Sequence, residues 1–332
     1  MLWEPMTDGR VQCILCSHRC KIQDGKRGIC HVRENRGGRL YTLVYDRVIA
    51  QHVDPIEKKP LFHFYPKSYS YSIATPGCNF SCLFCQNADI SQMPAEGGQI
   101  MGRPMSPEAI VREAIGQDCK SISYTYTEPT IFFELAYDTA KAAHEKGIKN
   151  VFVTNGYTTK EALTRISPYL DAANVDLKGF NEDFYRKVCG AKLRHVLDTI
   201  RLYHELGIWL EITTLIIPGH NDSREELIQI AGFIASIDRD IPWHVTQFHP
   251  TYKLMDRPRT PVETLRMARR IGREAGLRYV YEGNVPGEGG ENTNCPECGQ
   301  LLVDRFGYII SKYHIVDGKC EYCKTKISGV GV

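Results

Sequence analysis

The stretch GCNFSCLFCQN, residues 77–87, places three cysteines, Cys78, Cys82 and Cys85, within eight positions and supplies no fourth. It follows the run SYSIA, whose β-branched and aromatic residues are typical of a strand. Gly77 stands just before the first cysteine, where a tight loop needs backbone angles that other residues rarely adopt. The pattern therefore predicts a strand that leads into a loop able to wrap a metal group.

Beyond this stretch, short β-rich runs alternate with amphipathic segments whose apolar residues recur at helical spacing. The β-rich runs are SYSIA, KSISYTY, NVFVT, ANVDL, LEITTLII, HVTQF and RYVYE. Repeated β-then-α units indicate a parallel sheet, because each strand needs a crossover to return in the same direction. We expect an α/β fold, a partial (β/α)6-type TIM barrel, with polar loops such as TEP, TNG, DLK and FHP gathered at the C-terminal strand ends.

The chain has 332 residues, a formal net charge of +2 and thirteen cysteines. Because the charges nearly balance, the chain has no large excess of basic residues that would indicate nucleic-acid binding. Neither a secretory signal nor an apolar run of roughly 20 residues is present, so a cytoplasmic protein that does not enter the membrane is expected. In such a protein, cysteines more often bind metals or perform redox chemistry than form disulfides.

Two further cysteine groups divide the chain into three regions. The regions are a Cys-rich N-terminal region (1–65), a core domain (66–287) and a C-terminal region (288–332). The N-terminal group is Cys13, Cys16, Cys20 and Cys30, and the C-terminal group is Cys295, Cys298, Cys320 and Cys323. Two C-x2-C pairs in the tail predict a zinc-ribbon-like site closed by four thiolates. The N-terminal group fits zinc or an auxiliary iron-sulfur cluster, and these two readings stay open.

Three thiolates in the loop would hold three irons of a 4Fe-4S cube and leave one iron open to an external ligand. Here the sequence resembles the radical S-adenosylmethionine (SAM) enzymes, whose signature C-x3-C-x-aromatic-C corresponds to Cys78, Cys82, Phe84 and Cys85. The resemblance implies that SAM binds the open iron and is cleaved reductively to a 5′-deoxyadenosyl radical that removes hydrogen from a substrate. The structural alternative is a zinc knuckle.

The middle of the chain is similar to the activating-enzyme branch of that family, which includes pyruvate formate-lyase activating enzymes. Tyr126, Thr127, Glu128 and Pro129 stand where that branch has a Gly-Gly-Glu-Pro turn, with both glycines replaced. The resemblance implies that Glu128 accepts from the methionyl ammonium, a cation that a carboxylate binds well.

Further cofactor-binding residues are carried over from the same resemblance, namely Asn155, Gly156, Asp176, Lys178 and His249. Strand alternation sends Asp176 and Lys178 to one face, where Lys178 could pair with the methionyl carboxylate. His249 corresponds to a histidine that reaches the cofactor near the last strands. The alternative is that Asp176 and Lys178 form a solvated pair and that His249 lies in a turn.

Over nearly the whole chain, including PIEKKPLFHF at residues 55–64, the sequence resembles the radical member of the AmmeMemoRadiSam system. That likeness implies AMMECR-type and Memo-type proteins as partners, and a ferredoxin or flavodoxin as electron donor. The expected function is hydrogen abstraction from a protein, including glycyl-radical activation, or from a small molecule. The alternative is a zinc-stapled binding or scaffold protein without radical chemistry.

Overall fold

A computed structural model describes residues 1–332. The strands, numbered in chain order, are β1 (Trp3–Pro5), β2 (Val11–Cys13), β3 (Lys21–Ile22), β4 (Arg33–Arg36), β5 (Arg39–Thr42), β6 (Arg47–Val48), β7 (Ala50–Pro55), β8 (Tyr69–Ala74), β9 (Arg103–Pro104), β10 (Ser121–Tyr124), β11 (Lys149–Thr154), β12 (Ala172–Asp176), β13 (Trp209–Ile216), β14 (Trp243–Gln247), β15 (Val280–Gly283), β16 (Thr293–Asn294), β17 (Leu301–Phe306), β18 (Ile309–Tyr313), β19 (Ile315–Val316) and β20 (Lys319–Cys320).

The α-helices are α1 (Ala88–Ser91), α2 (Met93–Glu96), α3 (Pro107–Gly116), α4 (Phe133–Glu145), α5 (Lys160–Ile166), α6 (Glu182–Phe184), α7 (Leu193–Glu205), α8 (Arg224–Ile237) and α9 (Val262–Glu274). Single 3-10 turns occur at Ile56–Lys58, Pro129–Phe132 and Ser167–Tyr169, and a π-helical turn at Tyr185–Cys189. None of these helices has both the length and the apolar composition that crossing a membrane requires.

The central sheet has eight strands in the order β7-β8-β10-β11-β12-β13-β14-β15. The seven strands β8, β10, β11, β12, β13, β14 and β15 run parallel to one another. Each of the seven predicted β-rich runs supplies one of them. Helices α3, α4, α5, α7, α8 and α9 stand between successive strands of the series. The prediction of a parallel α/β sheet with helical crossovers is confirmed.

The strands present different chemistry on their two faces because successive side chains alternate. On β13, Leu210 and Ile212 join the large apolar core, whereas Thr213 lines a cavity on the opposite face. On β14, Val245 belongs to the core and His244 lines that cavity. The helices pack on the apolar face of the sheet, and the polar face lines the cavity.

Three of the helices are followed by a glycine in the left-handed conformation. Gly147, Gly207 and Gly276 follow α4, α7 and α9 with φ of +74°, +72° and +94°. These left-handed residues terminate the helices and let the chain turn into the next strand.

The N-terminal region is joined to the core by pairing that the β-then-α rhythm did not reveal. Strand β7 adds to the sheet antiparallel to β8, although its residues lie before the core domain proposed at residue 66. In addition, Arg33 donates two hydrogen bonds of 2.8 and 2.7 Å to Glu134 on α4. Both side chains are at least nine-tenths buried, so this pair fixes the N-terminal region against the core.

The C-terminal region forms a three-stranded antiparallel sheet, β16-β17-β18, and the hairpin β19-β20. Its buried residues pack against Phe62, Tyr279 and Tyr281. Arg305 on β17 is buried and donates to the carbonyl oxygen of Phe62 at 3.1 Å. The tail is therefore packed on the core and on the segment that follows β7.

Candidate active site

A cavity of about 640 Å³ lies on the polar face of the sheet. Side chains from the ends of β8, β10, β11 and β12 line it, including the three loop cysteines Cys78, Cys82 and Cys85. Parallel α/β sheets collect their sites at this C-terminal edge. The structure thus brings the cysteine loop and the polar strand ends to one space.

The loop begins at Gly77, whose φ of +104° strains any residue with a side chain. A Cβ atom there would also lie 2.8 Å from Cγ1 of Val32. Further along, the side chain of Gln92 donates to the carbonyl oxygen of Phe80 at 3.1 Å. Glycine at 77 is therefore required for the turn that presents the cysteines.

The loop rests on the π-helical turn Tyr185–Cys189. The backbone N–H groups of Ser81 and Leu83 donate to the carbonyl oxygens of Cys189 and Val188, each at 3.0 Å. The buried Cys189 thiol lies against Cys82 and lowers the pKa of Cys82 through a hydrogen bond. Cys189 stands outside the three cysteine groups of the sequence, and a small buried hydrophobic residue is expected there, with a radical-bearing thiol as the alternative. The structure confirms its burial and adds its contact with the loop, which linear spacing could not show.

Glu128 lies at the end of β10 with an exposure of 1%. Its Oε1 accepts from the backbone N–H and hydroxyl of Thr130 at 2.9 and 2.5 Å and from the Thr154 hydroxyl at 2.8 Å. Its Oε2 accepts from the Asn155 N–H at 2.8 Å. Burial raises the pKa of Glu128, and these bonds oppose the rise. The carboxylate thus links the ends of β10 and β11, and Oε2 can accept one further hydrogen bond.

Asn155 connects the end of β11 to the cysteine loop. Its Nδ2 donates to Oδ1 of Asn79 at 2.8 Å, and its Oδ1 accepts from the Tyr157 N–H at 3.0 Å. Gly156 takes a φ of +70°, and a Cβ there would lie 2.9 Å from Val175, although Gly156 does not itself line the cavity. Asn155 is therefore at the predicted site, while Gly156 shapes the turn beside it.

Asp176 and Lys178 point into the same cavity from the end of β12, as strand alternation predicted. Nζ of Lys178 lies 2.8 Å from Oδ2 of Asp176 and 5.7 Å from the centre of the Phe84 ring. Burial alone would lower the pKa of Lys178, but the charge of Asp176 and the neighbouring Cys82 raise it above its ordinary value. Lys178 is thus a cation close to the cysteine loop.

His249 does not join this arrangement. It is exposed and lies outside the cavity lining, so its role at the cofactor site stays a prediction. Strand β14 ends at Gln247, and Phe248 turns inward with 0% exposure, which directs His249 outward. The histidine that β14 does contribute to the cavity is His244.

His244 forms a buried pair with Glu211 on β13, with Nε2 2.7 Å from Oε2. The Glu211 carboxylate also accepts from the backbone N–H groups of Phe62 and His63 at 3.0 and 2.8 Å, and from Nε1 of Trp209 at 3.1 Å. Sequence reasoning missed this pair. The sequence did contain a signal for it, because Glu211 and His244 are ionisable residues within the otherwise β-rich runs LEITTLII and HVTQF.

The tail brings its four cysteines into one compact group. The Sγ atoms of Cys295, Cys298, Cys320 and Cys323 all lie within 4.8 Å of one another. The Cys295–Cys323 and Cys298–Cys320 sulfur distances are 3.5 and 3.8 Å. Four thiolates arranged tetrahedrally around one zinc ion would stand about 3.8 Å apart. This donor set therefore fits a single metal ion.

The N-terminal cysteines Cys13, Cys16, Cys20 and Cys30 line one small interior cavity with Arg33. Their sulfur atoms do not form a group as tight as that of the tail, and neither do those of Cys78, Cys82 and Cys85. The nearby His18 is engaged through Nε2 with the carbonyl oxygen of Asn79 at 2.7 Å. Zinc and an iron-sulfur cluster therefore both stay open for the N-terminal group.

Residues 72–231 match the family model described as the Radical SAM superfamily. Over 330 residues the chain is 49% identical to the uncharacterized protein MJ0808 of Methanocaldococcus jannaschii, with 98% of each chain covered. It is also 22% identical over 218 residues to the pyruvate formate-lyase-activating enzyme of Clostridium pasteurianum, covering 62% of this chain and 89% of that one.

Among solved structures, the chain is similar to a radical SAM methyltransferase from Sphaerobacter thermophilus. The TM-score is 0.51 at 18% identity, and the match covers 72% of this chain and 71% of that one. At this identity the likeness supports the fold alone.

Proposed function

Because the chain belongs to the radical SAM superfamily of enzymes, we propose that Cys78, Cys82 and Cys85 hold a 4Fe-4S cluster at which SAM is bound and reductively cleaved. The bound cluster and SAM would supply a 5′-deoxyadenosyl radical that abstracts hydrogen from a substrate. One observation carries the proposal: the three thiols open onto a cavity of about 640 Å³ that also contains the Asp176–Lys178 pair. An iron-sulfur site with three protein thiolates keeps one iron free for that ligand.

The chain's own residues would then bind and orient SAM. Lys178 is placed to pair with the methionyl carboxylate, and Asp176 holds the lysine at 2.8 Å. Glu128 orders the ends of β10 and β11 and keeps an acceptor direction on Oε2 for the ammonium. Asn155 ties that end of the sheet to the cysteine loop, and Phe84 supplies an apolar wall.

The hydrogen donor would be a protein, including a glycyl-radical enzyme, or a small molecule. Homology to the pyruvate formate-lyase-activating enzyme supports the first of these. We further propose a partial barrel, a cytoplasmic location, a ferredoxin or flavodoxin as electron donor, and AMMECR-type and Memo-type partners. Zinc would occupy the tail cysteines, and zinc or an auxiliary cluster the N-terminal group.

The test is anaerobic reconstitution with iron and sulfide, reduction with dithionite in the presence of SAM, and quantification of 5′-deoxyadenosine. The wild type should produce it and Cys82→Ala should not. Cys119→Ala is the matched control, because Cys119 is also buried but lies outside the cavity lining. A colourless wild type with zinc in every cysteine group and no deoxyadenosine would refute the proposal and favour the scaffold alternative.

A further inference from the structure

Residues 55–64, PIEKKPLFHF, form the floor of the cavity, and we call them the floor segment. The Asn174 side chain on β12 donates to the carbonyl oxygen of Pro60 at 2.8 Å. Farther along, the N–H groups of Phe62 and His63 bind the Glu211 carboxylate on β13. These contacts fix the floor segment against β12 and β13.

The floor segment carries a buried cation, Lys59, whose side chain is 2% exposed and lines the cavity. Its Nζ lies 2.6 Å from Oδ2 of Asp54 and 4.5 Å from the centre of the Tyr126 ring. Lys58 occupies the other oxygen of Asp54 at 2.8 Å. Two ammonium groups therefore share one carboxylate, and the buried carboxylates of Glu57 and Glu291 line other parts of the same cavity.

Lys59 also has hydrogen-bonding capacity to spare. An ammonium group has three donors, and Asp54 takes one of them. Burial lowers the pKa of Lys59 to about 8, and the charge of Asp54 opposes this shift. Lys59 is therefore charged at neutral pH, although its removal from water disfavours the charged form. A buried charge of this kind favours an anionic ligand that completes its coordination.

His244 offers a second polar atom in the lining of the same cavity. Nε2 is engaged by the Glu211 carboxylate, and Nδ1 makes no hydrogen bond within the chain. Nδ1 would donate to an anion as part of the imidazolium, the form that pairs as an ion with Glu211. Thr213, which pairs with His244 in the sheet, donates to Asn174 at 2.9 Å, and Asn174 in turn holds Pro60. This chain of contacts places His244 next to the floor segment, whose Phe62 ring packs 4.8 Å from the imidazole.

We propose that Lys59 binds a carboxylate or phosphate group of a small anionic substrate and that His244, which lines the same cavity, contacts the same substrate. The inference rests on the proposed radical function and names the substrate class for the same cavity. Charge-assisted hydrogen bonds from a buried ammonium suit either oxyanion. With its anionic group on the floor, the substrate extends its carbon skeleton toward the cysteine loop.

The variants Lys59→Met and His244→Gln test the two contacts separately. Removing the Lys59 ammonium leaves Asp54 bonded to Lys58 and Tyr126, so no carboxylate is orphaned. Glutamine at 244 retains a donor for Glu211. Lys26→Met is the matched control, since Lys26 is exposed and its side chain makes no hydrogen bond.

Binding of inorganic phosphate and of succinate to the reconstituted protein is measured anaerobically by calorimetry, without reductant. We expect saturable binding of at least one anion, and the preferred probe distinguishes phosphate from carboxylate. Each of Lys59→Met and His244→Gln should weaken it about tenfold or more, and Lys26→Met should not. No saturable binding to the wild type, or unchanged affinity in both cavity variants, would overturn the inference.

The wild type's 5′-deoxyadenosine yield is measured in parallel. Its absence would refute the proposed function while leaving the anion-binding result to stand on its own. If Lys59→Met does not fold, His244→Gln still decides the inference, because it alters a different contact with the same substrate.

Discussion

Replacing Glu128 with glutamine tests the internal scaffold of the site. The carboxylate accepts three hydrogen bonds at Oε1 and one, from the Asn155 N–H, at Oε2. If the glutamine carbonyl takes the Oε1 position, its amide group faces the Asn155 N–H, donor against donor. Leaving that buried N–H unsatisfied costs about 1–3 kcal/mol, and the loss of charge weakens the other three bonds. Since burial raises the pKa of Glu128, removing the charge also relieves some desolvation.

We therefore expect Glu128→Gln to lower the free energy of unfolding by about 3 kcal/mol. For 332 residues the entropy of unfolding is about 0.7 kcal/mol per kelvin, so Tm should fall by about 4 °C. The displacement of Asn155 should also move the cysteine loop, because Asn155 is bonded to Asn79 in that loop. We therefore expect Glu128→Gln to have both a lower Tm and a lower affinity for SAM.

The assays are thermal unfolding followed by circular dichroism and equilibrium binding of SAM to the reconstituted, unreduced protein. Glu145→Gln is the matched control, since Glu145 is exposed at the end of α4 and makes no hydrogen bond through its side chain. Unchanged Tm and SAM affinity in Glu128→Gln would contradict the assignment of Glu128 as the residue that orders both strand ends.

Three other outcomes follow from the structure. Gly77→Ala should reduce iron incorporation on reconstitution because of its φ of +104° and the 2.8 Å approach to Val32, whereas Gly116→Ala, which meets no neighbouring atom, should not. Cys298→Ser should lower the tail's metal content in elemental analysis, with Cys119→Ser as the unaffected control. Burial lowers the pKa of His63 in the folded chain to about 4, from an ordinary value of about 6.5. Between these two pH values only the unfolded chain binds the proton. The free energy of unfolding should therefore fall by about 3 kcal/mol as the pH is lowered from 6.5 to 4. The Tm of His63→Gln should depend less on pH there, and equal slopes would contradict this account.

The seven parallel strands could be predicted because each is a short β-rich run followed by a helical pattern. Their outer faces are buried by the helices and their inner faces line the site, so the sequence signal is strong. Strand β7 was missed because AQHVDP is short, polar and ends in proline. Its place is set by antiparallel pairing with β8, which no local pattern encodes.

The residues at the loop and strand ends could be predicted because they belong to linear motifs. Asp176 and Lys178 meet as alternation requires, at 2.8 Å. His249 lies outside the cavity lining because the end of β14 at Gln247, which the FHP motif does not encode, decides which side chain faces inward. His244 and Glu211 come together only through the register of β13 and β14, which depends on tertiary pairing.

The floor segment also explains why the regions proposed from the sequence cannot be independent. The Phe62 N–H binds Glu211 in the core, while its carbonyl oxygen accepts from Arg305 in the tail. The Phe62 ring packs 4.8 Å from the ring of His244 and lies 4.3 Å from the Arg305 guanidinium carbon. A boundary at residue 65 therefore cuts between the sheet and its own floor, and one at 288 separates Arg305 from the carbonyl it satisfies. The lining of the cavity is thus shaped jointly by the N-terminal region, the core and the cysteine-rich tail, although the loop thiols of Cys78, Cys82 and Cys85 belong to the core alone.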